Sequence, residues 1–304
     1  MKIAYLILVH NQPKQVERLT NRLVKTGDCY LHLDKKTEKK YFLKEFEQPS
    51  NTYLYSKYRV CWAGWSMVAA YMYLLQQAFS SPKEYDRFVL MTGQDYPLMS
   101  DKEIINEFEE HKNVEYVMAY NLVTSTISTD KNKVIKKWYF DVPFKNKFLR
   151  RCYLSFMYRV FTKPFSSNEL TVQYKGRSVD PYFGQMLSAF TREGADLLLD
   201  TYHNDKAFNK RMKKVHAAVE LYWQTIIFNS NLRKNTVQGG QEHEITEHFG
   251  WAPLHYHHYD VYTSEFTEED FEEIKNSGYM FFRKVVPGKS DSLMDKIDEM
   301  RREE

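Results

Sequence analysis

Cysteine is scarce, with Cys29, Cys61 and Cys152 the three present in 304 residues. They are too far apart for the paired spacing of a zinc site or a redox motif, and such sparse use fits a reducing compartment. No apolar run approaches the roughly 20 residues that a membrane-spanning helix needs. The opening run Ile3–Val9 is short and has no small-residue cleavage site behind it, so it reads as a buried first strand and the chain as cytoplasmic. Charge of one sign is also missing: 43 Lys and Arg against 40 Asp and Glu leave +3, which gives no support for a nucleic-acid partner. Phosphate-binding glycine loops are absent, and the first strand ends instead in His10-Asn11-Gln12-Pro13. Neither HExxH nor GxSxG occurs, so dehydrogenases, P-loop kinases, zinc proteases and α/β-hydrolases all lack their signatures.

What remains is an ordinary folded composition, 43% hydrophobic and 27% charged, with an aromatic content of 16%. That ring surface suffices for a core and leaves some for stacking on sugars or bases. Strand-like and helix-like runs alternate from the start: Ile3–Val9, a helix over 12–25, a strand over 29–33, a helix over 64–79 and a strand over 87–92. A helix from Asp101 after Ser100 and a strand over 114–119 continue the order of a doubly wound α/β sheet. Between about residues 121 and 178 the alternation breaks into a Lys-, Arg-, Phe- and Tyr-rich stretch, which reads as a substrate-facing insertion in a single domain spanning 1–304. Beyond it the pattern predicts a strand over 186–190, helices over 192–202, 219–229 and 267–276, a strand over 279–286 and a charged helix over 291–304. Thr267 and Asp270 form a weak capping box for the third of these helices.

Several positions invite chemistry. His10 and Asp34 would stand at the carboxyl ends of neighbouring strands, where open parallel sheets bind ligands, although an Asp in a plain turn fits the same letters. Asp95 and Tyr96 sit in Gly93-Gln94-Asp95-Tyr96-Pro97, held extended by the proline. Glu220 would open the helix over 219–229 as a base or as a mere decoration of its first turn. Arg283 and Lys284 follow an aromatic strand and form a pair suited to a diphosphate, or to solvent. The run His255-Tyr256-His257-His258 reads as surface or pocket-lining histidines and not as a metal site, because neighbours on a strand point to opposite faces.

Taken in order, the opening stretch 4–10, His32-Leu33-Asp34-Lys35, Trp62-Ala63-Gly64-Trp65-Ser66, Gly93-Gln94-Asp95-Tyr96-Pro97-Leu98, the stretches 184–193 and 220–226, and Phe281-Phe282-Arg283-Lys284 resemble the core-2/I-branching glycosyltransferases, a family that includes peptide O-xylosyltransferases. The resemblance implies a GT-A-like, Rossmann-type fold and inverting transfer of a sugar from a UDP-sugar donor to a hydroxyl of a glycan acceptor. GlcNAc or xylose is the expected sugar, and bacterial surface polysaccharide the expected product. It implies no cofactor and no metal: Gln94-Asp95-Tyr96 stands where an Asp-x-Asp motif would fall, and Arg283 and Lys284 supply the positive charge. Glu220 matches the family's catalytic glutamate. Val9, His10, Asp34, Trp62, Asp95, Arg283 and Lys284 become donor-site candidates, and Tyr96, Lys137, Trp138 and Trp251 acceptor-side candidates.

One departure concerns a second arginine that some branching enzymes carry about two dozen residues before the clamp lysine; here the stretch 258–262 has none, which is closer to the xylosyltransferase-like branch. The missing anchor suggests a bacterial cytoplasmic enzyme. A protein that binds a nucleotide sugar or carbohydrate without catalysis is the alternative, and it gives less reason for Glu220 or for paired cations. Within the insertion, residues 144–161 make a basic, aromatic, helix-like segment. It is expected to pack its rings on the domain, the alternative being peripheral contact with an anionic membrane that presents a lipid-linked acceptor.

Overall fold

The computed structural model describes residues 1–142, 144, 146–162, 169–243, 251–258 and 265–303. Lys145 of the basic segment, the stretch 259–262 that lacks an arginine, and Glu304 of the last helix lie outside the described residues. The first part of the chain gives β1 (Ile3–Val9), α1 (Pro13–Leu23), β2 (Gly27–Leu33), α2 (Lys39–Glu45), β3 (Thr52–Tyr55), α3 (Trp65–Phe79), β4 (Arg87–Thr92), β5 (Asp95–Pro97) and α4 (Asp101–Glu110). The middle part holds β6 (Tyr120–Asn121), α5 (Ser128–Ile135), α6 (Lys147–Met157), β7 (Val172–Tyr174) and β8 (Arg177–Val179). There follow β9 (Tyr182–Phe183), β10 (Ala189–Thr191), α7 (Arg192–Asn204), α8 (Lys206–Met212), α9 (Tyr222–Phe228), β11 (His255–Tyr256), α10 (Phe271–Lys275), β12 (Phe281–Arg283) and α11 (Asp291–Glu303).

Among the described residues the main sheet runs β10-β4-β1-β2-β3, parallel throughout except for β10. Parallel neighbours need crossover connections, which α1 and α3 provide. β1 is apolar at every position because both of its faces are covered. Ile3, Tyr5 and Ile7 join Val16 and Leu19 of α1 in one core, while Ala4, Leu6 and Leu8 join Val68 and Leu75 of α3 in the other. The α/β class with a mostly parallel sheet is the one expected. The register pairs Val9 with Leu33 and Leu8 with Thr92, so the carboxyl ends of β1, β2 and β4 form one edge.

Several elements differ from expectation. The strand over 114–119 reduces to single bridges, Glu115 with Thr236 and Tyr116 with Ala189. Glu115 is buried and turns its carboxylate onto the backbone N–H of Thr191 at 3.1 Å, serving the start of α7 and not a ladder. Asp101 is the first residue of α4 and Ser100 is its cap, in a full capping box with Glu103. The last predicted strand shortens to Phe281–Arg283, between β11 and β5. The helix expected over 219–229 splits into a tight 3₁₀ turn, Ala218–Glu220, and α9. Glu220 therefore precedes α9 and does not decorate its first turn.

The aromatic segment also departs from the packed expectation. No residue of α6 is buried, and Phe148 and Phe156 are 73% and 56% exposed. Among the described residues no helix is long and apolar enough to cross a membrane.

Candidate active site

A cleft of about 770 Å³ opens at the shared carboxyl edge of β1, β2 and β4. Val9, His10 and Asp34 line it together, as their strand-end positions require. The backbone N–H of Asp34 bonds the Val9 carbonyl at 2.8 Å. Its carboxylate accepts from the backbone N–H groups of Lys36 and Val60 at 2.9 and 3.2 Å, and Lys36 Nζ stands 3.1 Å away. These bonds fix a buried acid at the mouth of the sheet, and the one from Lys36 is that of an Asx-turn, so Asp34 is both a turn residue and part of the cleft lining. His10 is shifted down by burial, against the pull of Asp34, and is neutral at pH 7.

Arg283 and Lys284, at the end of β12, also line the cleft. Register pairing of Arg283 with Asp95 in antiparallel β5 sets the acid behind the clamp. Arg283 Nε lies 3.3 Å from Asp95 Oδ1, and Asp95 also accepts from the backbone N–H and the hydroxyl of Thr92 at 2.7 and 2.8 Å. Burial pushes the Asp95 carboxyl up, yet Arg283 and His255 outweigh it and hold it down at about 2. Asp95 is fully buried and does not line the cleft, so it positions Arg283 and does not touch a ligand directly. Lys284 is pushed down by burial and by the neighbouring Arg283 charge. Such a cation gains from an anion placed beside it.

Tyr96 is corrected more fully. Alternation along β5 sends its ring away from the cleft, where it is buried with its hydroxyl 2.9 Å from Asp298 and within 3.0 Å of Arg18 Nε. Lys137, Trp138 and Trp251 do not line the cleft either. Trp138 donates its indole N–H to the Asn132 carbonyl at 3.0 Å and stacks on Phe140, and the Lys137 carbonyl accepts from Thr162. Trp251 is buried against His243 and Tyr120. These residues hold the insertion and a neighbouring loop in place.

Glu220 lines the same cleft. Burial raises its pKa above the ordinary carboxylate range, and Lys133 pulls it back. Lys133 Nζ stands 3.7 Å from Glu220, 3.2 Å from Asp130 and 3.4 Å from the centroid of Phe183. Beside Glu220, Ala217 takes a left-handed backbone (φ 53°) and donates its N–H at 3.1 Å to the carbonyl of Ala63, which is also left-handed (φ 59°). That bond ties the Glu220 turn to Trp62, whose ring is 60% exposed at the cleft. The Asp141 carboxylate occupies the space a side chain on Gly64 would need, and accepts from the Ser66 N–H at 3.2 Å at the start of α3.

Lys133, Arg150 and His216 also line the cleft without having been singled out for it from the sequence, as does His257 of the run read as surface or pocket-lining histidines. Lys133 and Arg150 come from the insertion, which thus contributes two cations to the lining of the cleft. No local motif marks either residue. His216 and His257 are shifted down by burial to about 4 and about 3, so both are neutral at pH 7. Of the histidine run, His255 is buried 3.4 Å from Asp95, while His257 and His258 line the cleft. His258 sets its ring nitrogens 3.5 and 3.7 Å from Asp270 and Glu273, and Asp270 is already engaged in the capping box with Thr267.

A strand-end acid, a cation pair and a carboxylate thus line one cleft. The sequence matches the Core-2/I-Branching enzyme family over residues 3–275. The chain belongs to the core-2/I-branching enzyme family. This core-2/I-branching enzyme is accordingly a glycosyltransferase with a GT-A-like fold. Among solved structures it is similar to mouse xyloside xylosyltransferase 1 in its apo form, at 12% identity over 92% of this chain and 96% of that one, with a TM-score of 0.35. A likeness that loose carries no argument about donor or acceptor. No curated protein sequence matches significantly.

Proposed function

We propose that this enzyme moves a sugar from a UDP-sugar to a glycan hydroxyl with inversion and without a metal ion, Glu220 acting as the base. The observation that carries the reading is the convergence of Asp34, Glu220, Arg283 and Lys284 on one cleft. Asp34 would bind the uridine, at the sheet edge where such ligands sit. Glu220 takes the proton of the acceptor hydroxyl as its oxygen forms the bond to the anomeric carbon. The bond from that carbon to the β-phosphate oxygen breaks in the same displacement, and its electron pair leaves with UDP. Inversion follows from the single in-line step. Negative charge grows on the departing diphosphate, where the fixed cations Arg283 and Lys284 stabilise it more in the transition state than in the ground state.

Independence from a metal is supported by Asp95. The carboxylate at the usual metal-motif position is buried against Arg283 and His255, and is spent on orienting the clamp. GlcNAc and xylose are the donor sugars proposed, in bacterial surface polysaccharide synthesis, because the resemblance takes in transferases of both sugars.

The test is a thermal-shift panel of UDP-GlcNAc, UDP-xylose, UDP-galactose and UDP-glucose with EDTA present. A ligand held at 100 times its Kd stabilises the native state by about 2.7 kcal/mol. The proposal expects at least one donor to raise Tm under chelation. A flat panel contradicts nucleotide-sugar binding, and a shift that appears only with added divalent ion contradicts the cation clamp.

A further inference from the structure

Helix α6 and the π-helical turn Tyr158–Thr162 that follows it expose large apolar side chains beside their cations Lys147, Arg151 and Arg159. A surface helix turns its apolar stripe to the core and its charges outward. Here Arg150, Tyr153, Leu154 and Met157, at helical spacing, form the half-buried side, and Arg150 reaches the cleft. The outward side carries Phe148, Leu149 and Phe156, continued by exposed Tyr158 and Val160. Single exposed hydrophobic residues are ordinary, whereas a contiguous aromatic patch marks a surface that something covers.

The charge says what covers it. From Asn146 to Thr162 the chain holds Lys147, Arg150, Arg151 and Arg159 and no Asp or Glu. Large rings beside unopposed cations match the boundary between anionic headgroups and acyl chains. A second feature points the same way. Under α6 lies an almost wholly apolar cavity of about 350 Å³, walled by Trp138, Phe140, Leu154 and Tyr158, with Arg151 beside them. Consecutive arginines on one helix therefore serve the cleft and this cavity.

We propose that α6 and the turn after it seat the enzyme on an anionic bilayer, and that the acceptor is a glycan carried on a lipid in that bilayer. The lipid-borne acceptor rests on the transferase reading above; the seat itself does not. Arg150 lies on the seating helix and also lines the cleft that holds Glu220, so the seat and the cleft share one element.

Co-sedimentation with vesicles tests the seat, using phosphatidylcholine alone and phosphatidylcholine mixed with phosphatidylglycerol. Wild type pellets with the mixed vesicles only, and added salt weakens it. Arg151→Glu with Arg159→Glu lowers the partition on the order of 100-fold. Phe148→Ser with Phe156→Ser, at exposed positions where folding is not at stake, lowers it comparably. The seat is overturned if wild type ignores both vesicles, binds both equally, or is matched by these variants. For the acceptor, label from a UDP-sugar supplied with host-cell membranes appears in the organic-solvent extract; label confined to the aqueous fraction overturns that half. The UDP-sugar thermal shift on the same preparations reports the cleft alone, so failure of the seat is distinguishable from failure of the transferase reading.

Discussion

Lys133 holds its ammonium 3.7 Å from the Glu220 carboxylate. The pair sets the protonation of Glu220, the proposed base, because burial favours the neutral acid and Lys133 favours the ion. A base with a raised pKa works above that pKa and is lost as pH falls through it. The acid limb of kcat/KM should therefore lie above the usual glutamate value of about 4.3. Removing the cation in Lys133→Met leaves burial unopposed, so the limb should move to higher pH while the plateau well above it changes less. A limb that stays in place, or moves down, contradicts the coupling.

Asp95 and Arg283 make a buried pair whose loss should be costly. Asp95→Asn leaves the guanidinium without its counter-charge, a change that typically costs about 3–5 kcal/mol. Its pKa is depressed in the folded protein, so the stabilisation is present above the unfolded value of ~3.9 and is lost as pH falls toward about 2. Denaturant unfolding of wild type and variant should show a wide gap at pH 7 that narrows on acidification. The variant should also bind UDP more weakly, since Arg283 loses its orientation. Equal stability at pH 7 contradicts the positioning role.

The left-handed backbone of Ala217 adjoins the Glu220 turn, and an L-residue held there costs about 1–2 kcal/mol that glycine avoids. Ala217→Gly should therefore leave stability unchanged or raise it by up to about 1 kcal/mol, since glycine's greater freedom in the unfolded chain offsets part of the gain. A β-branched Ala217→Val should lower it and, by shifting the turn, reduce turnover. Thermal unfolding of both variants decides the point. Marked destabilisation by glycine would mean that the methyl contacts matter more than the backbone.

How much of this was legible beforehand divides by physical cause. β1, α1 and β2 were readable because an unbroken apolar strand beside an amphipathic helix has few other ways to fold, and the carboxyl edge then located Val9, His10 and Asp34. Glu220, Arg283 and Lys284 were found through ordered resemblance, since each alone reads equally well as surface charge. Asp95 and Tyr96 are buried outside the cleft lining, which the sequence does not disclose because a strand of three residues gives too little pattern to say which way each side chain turns. Lys133 and Arg150 come from an insertion without a motif, and only the folded chain brings them to the cleft. The aromatic side of α6 was expected to be packed because stripes of that kind usually are, and periodicity cannot tell which face meets the core.

The central claim is that Glu220 removes the acceptor proton, and the direct measurement is turnover of the donor identified by the thermal-shift panel, by transfer or hydrolysis, in wild type and Glu220→Gln. A positioned base contributes about 10²–10⁴-fold, so the variant should lose that much in kcat while its UDP-induced thermal shift persists. A Glu220→Gln enzyme that turns over as fast as wild type would contradict the account.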